Sequence, residues 1–342
     1  GGLMPLEQFS SQWGLSELQL ALGFIGFLFF IWVIVYNIRN TKGRRGNDAV
    51  RVEPSSKSEE VIVSEPIPAP LSPYQTLSKQ TIDPRIDCVI ALRFSEPISG
   101  IEILDDLNDW TDLQTPWMAD GLSVTGPSEG VWCPLDTNHF YAEIQLAVQL
   151  ASRKGPIGVL ELSDFCSRVQ ALAETLDAQI DMPSVSGMLD SAKELDVIAA
   201  QSDVLLGINI VFDQQSWSWP HLDSALTQRG FKLSNDGAYF EYSMQGKTVF
   251  RTGQFDHQTP VSQITLQLEV PVVLANLQPF DRMLKEAADI AETLQGRLVD
   301  DNGINLTESS VNVIRQQLDV LYAQLEKSGI AAGSGTAIRL FS

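Results

Sequence analysis

The sequence ITLQLEV at residues 264–270, followed by PFDRMLKEAADIAETL at 279–294, decides the fold class. Apolar residues occupy every second position of the first segment, and this period of two predicts a half-buried β-strand. In the second segment the apolar residues recur at helical spacing, which predicts an amphipathic helix. Because such a helix has a single apolar side, we expect helices to cover one face of a mostly antiparallel sheet and to leave the other face open.

The same pattern occurs twice in the chain. Three pairs of matching segments keep their order: DCVIALRF at 87–94 with DVLLGINI at 203–210, AETL at 173–176 with AETL at 291–294, and LDVIAAQ at 195–201 with LDVLYAQ at 318–324. Their offset of about 120 residues is far longer than a solenoid unit and predicts a duplicated domain. We therefore expect an α+β protein with two tandem domains, at 83–202 and 203–330, and a carboxyl-terminal tail at 331–342.

Each copy is expected to begin with a strand that leads into a helix. The predicted strands cover 86–94 and 203–212, and the predicted helices cover 98–109 and 218–229. Turn signals around Asn235-Asp236-Gly237 separate the later elements of the second copy. The remaining predicted elements are strands at 144–150, 237–243, 247–255 and 264–270, and helices with apolar sides over 280–294 and 311–325.

Alternation along residues 204–212 assigns side chains to the two faces of the second sheet. An open sheet face with scattered apolar residues and a glycine suits an extended peptide, and a plain solvated face is the alternative. The candidate peptide-binding residues are Leu205, Gly207, Asn209, Val211, Tyr239, Phe255, Thr265 and Gln267. The corresponding face of the first copy is more polar, with Val89, Ala91, Arg93, Gln145 and Gln149.

Residues 18–38, LQLALGFIGFLFFIWVIVYNI, form one long apolar run, with no polar face between Leu20 and Tyr36. At about 1.5 Å per residue such a helix spans the roughly 30 Å hydrocarbon core of a bilayer, so we predict a transmembrane helix. A basic cluster follows at once and is expected at the membrane surface: Arg39, Lys42, Arg44 and Arg45. The positive-inside rule then places residues 1–17 outside the cytoplasm and the rest inside. A cleaved signal peptide would show the reverse order of charges, which favours a retained anchor.

Residues 39–82 mix Pro, Ser, Glu and Lys with few large apolar residues, which predicts a disordered linker. The net charge is −20, and no basic stripe follows the juxtamembrane cluster, so nucleic-acid binding is not expected. Anionic lipid should attract that cluster and repel the acidic body. Three cysteines without C-x-x-C spacing are typical of reduced thiols.

Catalytic signatures are missing from the sequence. His139, His221 and His257 have neither metal-ligand spacing nor a paired nucleophile, and Asp300-Asp301-Asn302-Gly303 is typical of a hairpin turn. Neither a phosphate-binding glycine loop nor a zinc signature occurs. We therefore expect no enzyme, no cofactor, no metal and no small-molecule substrate.

The tail ends in TAIRLFS at 336–342, after the glycine-rich AGSG at 332–335. Its composition is that of a strand, so one hypothesis is an edge strand that joins one of the sheets. A frayed terminus is the alternative.

Several segments resemble the ZipA family of bacterial cell division proteins. The matching segments are DVLLGINIVF at 203–212, QRGFKLSNDGAYFEY at 228–242, TPVSQITLQLEVP at 259–271 and QPFDRMLKEAADIAETLQGRLVDDNGINLTESSVNVIRQQL at 278–318. They resemble that family's first strand, its second strand, its central strand, and its long helix with the following turn and final helix. The resemblance covers roughly residues 203–328.

The resemblance implies an adaptor that tethers the division GTPase FtsZ to the cytoplasmic face of the inner membrane, with a periplasmic amino terminus. Its open sheet face would hold the carboxyl-terminal peptide of FtsZ. Positions that carry bulky apolar groups in the family appear here as Gly207, Gly237 and Gln267, which implies a groove that is shallower or differently shaped. The alternative is a membrane-anchored scaffold that binds a different division or envelope protein.

Overall fold

Antiparallel sheets and helices alternate along residues 82–342, the part of the chain that the computed structural model describes. The first half contains β1 (Asp87–Ser99), α1 (Gly100–Leu107), β2 (Trp117–Ser123), β3 (Trp132–Pro134), β4 (Phe140–Gln149), β5 (Ala151–Ser152), β6 (Gly155–Pro156), α2 (Val159–Thr175), β7 (Gln179–Asp181) and α3 (Val185–Ser202). The second half contains β8 (Leu205–Val211), α4 (Trp219–Gln228), β9 (Lys232–Leu233), β10 (Phe240–Met244), β11 (Lys247–Thr252), β12 (Gln263–Glu269), α5 (Pro279–Leu294), β13 (Arg297–Val299), α6 (Glu308–Lys327) and α7 (Gly335–Leu340). The predicted α+β class is therefore confirmed.

Local sequence sets the ends of these elements, as α6 illustrates. The Thr307 side chain accepts a hydrogen bond of 3.1 Å from the Ser310 N–H, and the Ser310 hydroxyl accepts one of 2.8 Å from the Thr307 N–H. This capping box satisfies N–H groups that the first turn of a helix leaves without partners. The buried residues of α6 are Val311, Leu318, Leu321 and Leu325.

The two larger sheets share the arrangement of their central strands. The first sheet has the order β3-β2-β4-β1-β7, and the second has the order β13-β8-β12-β11-β10-β9. In each sheet the leading strand, β1 or β8, lies between a long later strand and a short strand that follows a helix. The strand on the other side of the long strand differs between the sheets. In the first sheet β4 pairs with β2, the earlier of the neighbouring strands β2 and β3. In the second sheet β12 pairs with β11, the later of the neighbouring strands β10 and β11. The domain duplication stays a prediction.

Helices cover one face of each large sheet. On β8, Ile208 and Ile210 are buried and belong to the same core as Met283 and Ile290 of α5. On β1, the buried residues of alternate positions are Cys88, Ile90 and Leu92. Apolar burial on one face of each strand is what a period of two produces.

The carboxyl-terminal tail forms the helix α7. The Ser334 hydroxyl accepts a hydrogen bond of 3.1 Å from the Ala337 N–H and caps the helix. Ala337, Leu340 and Phe341 are buried. The edge-strand prediction and its alternative, a frayed terminus, are both wrong, because these three apolar residues recur at helical spacing and pack into the core.

Two bidentate salt bridges join the first half of the chain to the second. Arg339 of α7 donates hydrogen bonds of 2.9 and 2.6 Å to the carboxylate of Asp87, the first residue of β1. Arg153, in the turn between β5 and β6, donates bonds of 2.9 and 2.7 Å to Asp203, just before β8. Such bidentate pairs fix orientation as well as distance. The two sheets are therefore held at a defined mutual arrangement.

The predicted transmembrane segment at 18–38, the basic residues Arg39, Lys42, Arg44 and Arg45, and nearly all of the linker at 39–82 lie outside the described residues. Within residues 82–342, no helix combines the length and the apolar character needed to cross a bilayer.

Candidate functional site

The open face of the second sheet is formed by residues that pair directly across β8 and β12. Pairs in this register place their side chains on the same face of an antiparallel sheet. The facing pairs are Leu205 with Glu269, Gly207 with Gln267, Asn209 with Thr265, and Val211 with Gln263. The structure thus brings together six of the residues predicted from alternation: Leu205, Gly207, Asn209, Val211, Thr265 and Gln267.

Tyr239 extends this face beyond β12. Arg251 of β11 pairs with Gln267, so its side chain lies on the same face. The guanidinium carbon of Arg251 stands 5.4 Å from the centre of the Tyr239 ring, a cation–π geometry. Tyr239 therefore lies beside the open face, as its predicted position requires.

Phe255 does not belong to the open face, so its predicted placement is wrong. Its ring centre lies 5.9 Å from that of Trp219 in α4 and 6.0 Å from that of Phe240, which is fully buried. Two features break the period of two that predicted it. Strand β11 ends at Thr252, and a bulge next to Tyr242 shifts the register between β10 and β11.

Asn209 faces the open side but is buried beneath a turn. Its amide nitrogen donates to the Asp300 carbonyl at 3.3 Å and to the Asp301 carboxylate at 3.1 Å. Its amide oxygen accepts from Thr265 at 2.6 Å and from Gln263 at 3.0 Å. With only 6 % of its surface exposed, Asn209 fastens the turn to the sheet and is not free to contact a partner.

The turn that covers Asn209 is the main feature of the site that the sequence patterns missed. Asp300 shapes it, since its carboxylate accepts from the N–H groups of Asn302 and Ile304 at 2.8 and 2.9 Å. Gly303 adopts a φ of 76°, which favours glycine. The turn sequence itself was the signal that could have revealed this feature. The turn directly follows β13, and β13 pairs with β8, so the turn lies next to the open face.

Gly207 leaves room in the centre of the face. A Cβ atom built there would stand 3.4 Å from Oδ1 of Asp301 and 3.8 Å from Cγ2 of Thr265. These are ordinary contact distances, so the packing would accept a Cβ atom at this position and does not require glycine. Without a side chain at Gly207, the backbone of β8 can come closer to a segment laid on the face.

Charges at both ends of the face are paired within the protein. At one end Arg297, which pairs with Val211, donates bonds of 2.6 and 3.1 Å to Asp213, and these hydrogen bonds lower the pKa of the Asp213 carboxyl. At the other end Arg153 lies 3.4 Å from Glu269. This arginine also binds Asp203, so two carboxylates share one positive charge at that end. A partner on this face therefore meets half-buried apolar groups, polar side chains and backbone, between two ends whose arginines are already paired.

The histidines make local contacts. His139 hydrogen-bonds Asp136 at 2.7 Å, and His221 hydrogen-bonds the Ser218 hydroxyl at 2.9 Å. The ring of His257 stacks on Trp219. In the described part of the chain, no three His, Cys, Asp or Glu side chains cluster closely enough to hold a metal ion.

A comparison with protein-family models matches residues 204–317 to the family described as ZipA, C-terminal FtsZ-binding domain. The matched residues contain β8, β12 and β13, which contribute to the open face, and α5, which packs on the opposite face of the sheet. A search of the curated proteins found no match. The predicted resemblance to the ZipA family is therefore confirmed over residues 204–317.

Proposed function

We propose, from the membership of residues 204–317 in the family of ZipA C-terminal, FtsZ-binding domains, that this chain is a non-catalytic cell division adaptor. In this proposal its second domain holds the carboxyl-terminal peptide of FtsZ on the open face of the second sheet. The observation that carries the proposal is that the family match covers the strands and the turn that build this face.

The chemistry of the face supports a peptide ligand. Leu205, Val211 and Tyr239 are half-buried and supply apolar surface at different points of the face. Gly207 exposes backbone between them, which suits an extended or helical segment laid across the strands. Because FtsZ is expected to be acidic like this chain, apolar contact has to provide the affinity and long-range attraction cannot.

The membrane end of the adaptor comes from the amino-terminal sequence. The apolar run at 18–38 would anchor the chain in the inner membrane, and Arg39, Lys42, Arg44 and Arg45 would contact anionic lipid on the cytoplasmic side. Ser10→Cys, in cells, should then react with a membrane-impermeant maleimide from the periplasm. A label that reaches Ser10→Cys only after the cells are permeabilised contradicts this orientation.

The binding proposal is tested with a labelled FtsZ carboxyl-terminal peptide and the full chain in phospholipid nanodiscs. We expect saturable binding, measured by fluorescence anisotropy. Leu205→Ala and Tyr239→Ala should each weaken it about tenfold, because each removes part of a limited apolar surface. Val313→Ala is the matched control, since Val313 lies on α6 with 49 % of its surface exposed. A flat titration with the wild-type chain refutes the tether.

A second candidate is a membrane-anchored scaffold for a different division or envelope protein. The observation that favours it is the pair of bidentate salt bridges, Arg339 with Asp87 and Arg153 with Asp203, which fixes the two halves for a folded partner that touches both. Loss of binding on Arg153→Ala, with no saturable binding of the FtsZ peptide, is the result that selects this candidate.

A further inference from the structure

The open face of the first sheet carries the chain's own carboxyl-terminal helix at one end. Asp87 pairs with Gln149 across β1 and β4, and its side chain lies opposite to those of Cys88 and Ile90, which point into the core. Arg339 of α7 binds the carboxylate of Asp87 through two hydrogen bonds. The Gln149 amide donates to the Arg339 carbonyl at 3.0 Å. Both residues of this cross-strand pair therefore hold α7.

Two more contacts fix the ends of the same segment. The Thr336 hydroxyl donates to the Asp83 carboxylate at 2.5 Å, and the Arg153 N–H donates to the Ser342 carbonyl at 3.4 Å. Burial alone raises the pKa of Asp83, but hydrogen bonds from Arg85 and Thr336 outweigh it and lower the pKa to about 2. Asp83 is thus a carboxylate near neutral pH, and it lies beside Asp87.

At the corresponding end of the second sheet, a different element pairs with the acidic residue. Asp203 precedes β8 much as Asp87 begins β1, and it receives two hydrogen bonds from Arg153. Arg153 lies in the turn of a short hairpin. The acidic residue is therefore satisfied by a hairpin at the second sheet and by a helix at the first.

We propose that the Asp87 end of the first sheet's open face is a binding site for a short helical segment that carries an arginine. Residues 335–342 fill it as an intramolecular ligand. Asp83 and Asp87 take a hydroxyl and a guanidinium that lie one helical turn apart, at Thr336 and Arg339. Ligands of this site are thus short, helical and basic on one side, with a small or apolar opposite side.

The ligand chemistry separates the two open faces. The first face takes a basic segment that the chain itself supplies, whereas the second face has Leu205, Val211 and Tyr239 with paired charges at its ends. An FtsZ peptide should therefore bind once per chain, at the second sheet, a consequence that rests on the proposed function.

The test uses the full chain and a fluorescent synthetic peptide of residues 333–342, GSGTAIRLFS. In the wild-type chain the tail occupies the site at high effective concentration, so the added peptide should bind at least about tenfold more weakly than it binds the Arg339→Ala chain. The double variant Asp87→Asn with Arg339→Ala should bind the peptide about tenfold or more weakly than the Arg339→Ala chain does. A peptide carrying Arg339→Ala should bind none of these chains.

Equal binding to the single and double variants, or no binding to the Arg339→Ala chain, overturns the proposal. A measurement on the wild-type chain covers the case in which a variant fails to fold. Hydrogen exchange should show the amides of residues 337–341 protected in the folded chain, and exchange at the rate of a free peptide also overturns the proposal.

A competition experiment separates this proposal from the proposed function. The tail peptide should not displace a labelled FtsZ peptide from the wild-type chain, and displacement contradicts two separate sites. If the FtsZ peptide does not bind at all, the proposed function is refuted, whereas binding of the tail peptide to the Arg339→Ala chain still supports the site on the first sheet.

Discussion

The guanidinium of Arg339 and the carboxylate of Asp87 form a two-bond salt bridge between positions 252 residues apart. The Asp87 side chain is fully buried and that of Arg339 is 11 % exposed. Water screens such a pair weakly, and each charge has lost most of its hydration. The pair therefore adds specificity to the docking of α7, and breaking it leaves a buried charge that water compensates poorly.

Arg339→Ala should lower the free energy of unfolding by about 3 kcal/mol, because it leaves the Asp87 carboxylate buried without its main partner. Chemical denaturation of the full chain measures this. The control is Arg93→Ala, which removes an exposed arginine 3.5 Å from Glu143 and should cost less than about 1 kcal/mol. Adding Asp87→Asn to Arg339→Ala should restore part of the loss. Equal effects of the two single variants contradict the prediction.

Acid should destabilise the protein through Asp83, whose pKa in the folded state is lowered from 3.8 to about 2. A carboxyl with a depressed pKa contributes stability that is full above its unfolded pKa and is lost as the pH falls through its folded pKa. The difference in unfolding free energy between wild type and Asp83→Asn should therefore be constant above about pH 5 and shrink between about pH 4 and pH 2. Urea titrations at stepped pH measure it. A difference that does not change with pH is the contradicting outcome.

Phe341→Ala should destabilise the chain by about 3 to 5 kcal/mol, because the ring is 1 % exposed and its removal leaves a cavity. Ile338→Ala is the matched control in the same helix, since Ile338 is 44 % exposed and should cost less than about 1 kcal/mol. Thermal unfolding of both variants gives the comparison. Similar melting temperatures for the two variants show that the tail does not pack into the core.

Phe255→Ala should act on stability and not on the open face. Its ring packs edge-on against Trp219 and Phe240, so truncation should cost about 2 to 4 kcal/mol of unfolding free energy. Affinity for an FtsZ peptide, measured well below the melting temperature, should change less than about twofold. A tenfold loss of affinity with unchanged stability contradicts this prediction and indicates that Phe255 contacts the peptide.

Local patterns predicted the parts of the site that depend on regular strands. Leu205, Gly207 and Thr265 share a face because β8 and β12 pair without a register shift and so keep a period of two. The burial of Asn209 escaped prediction, since it depends on Asp301, which is 92 residues away. The tail has strand-like composition, yet α7 forms because partners such as Asp87 and a helical stripe of apolar residues outweigh local propensity.

Affinity for the FtsZ peptide should depend only weakly on salt. At the ends of the open face Arg297 is paired with Asp213, and Arg153 is shared by Asp203 and Glu269, so neither end has an excess of positive charge to attract an acidic partner over a distance. Raising the salt from about 0.05 to 0.3 M should change the Kd less than about threefold, since apolar contact dominates. Anisotropy titrations across this range measure the dependence.

Arg297→Ala provides the matched control for the salt experiment. It leaves Asp213 unpaired at the edge of the face, which adds a negative charge facing FtsZ, a protein that is expected to be acidic. The variant should bind more weakly at low salt and recover toward the wild-type Kd as salt screens the repulsion. A steep loss of wild-type affinity with added salt means that charge attraction drives the encounter, and it contradicts binding by apolar contact.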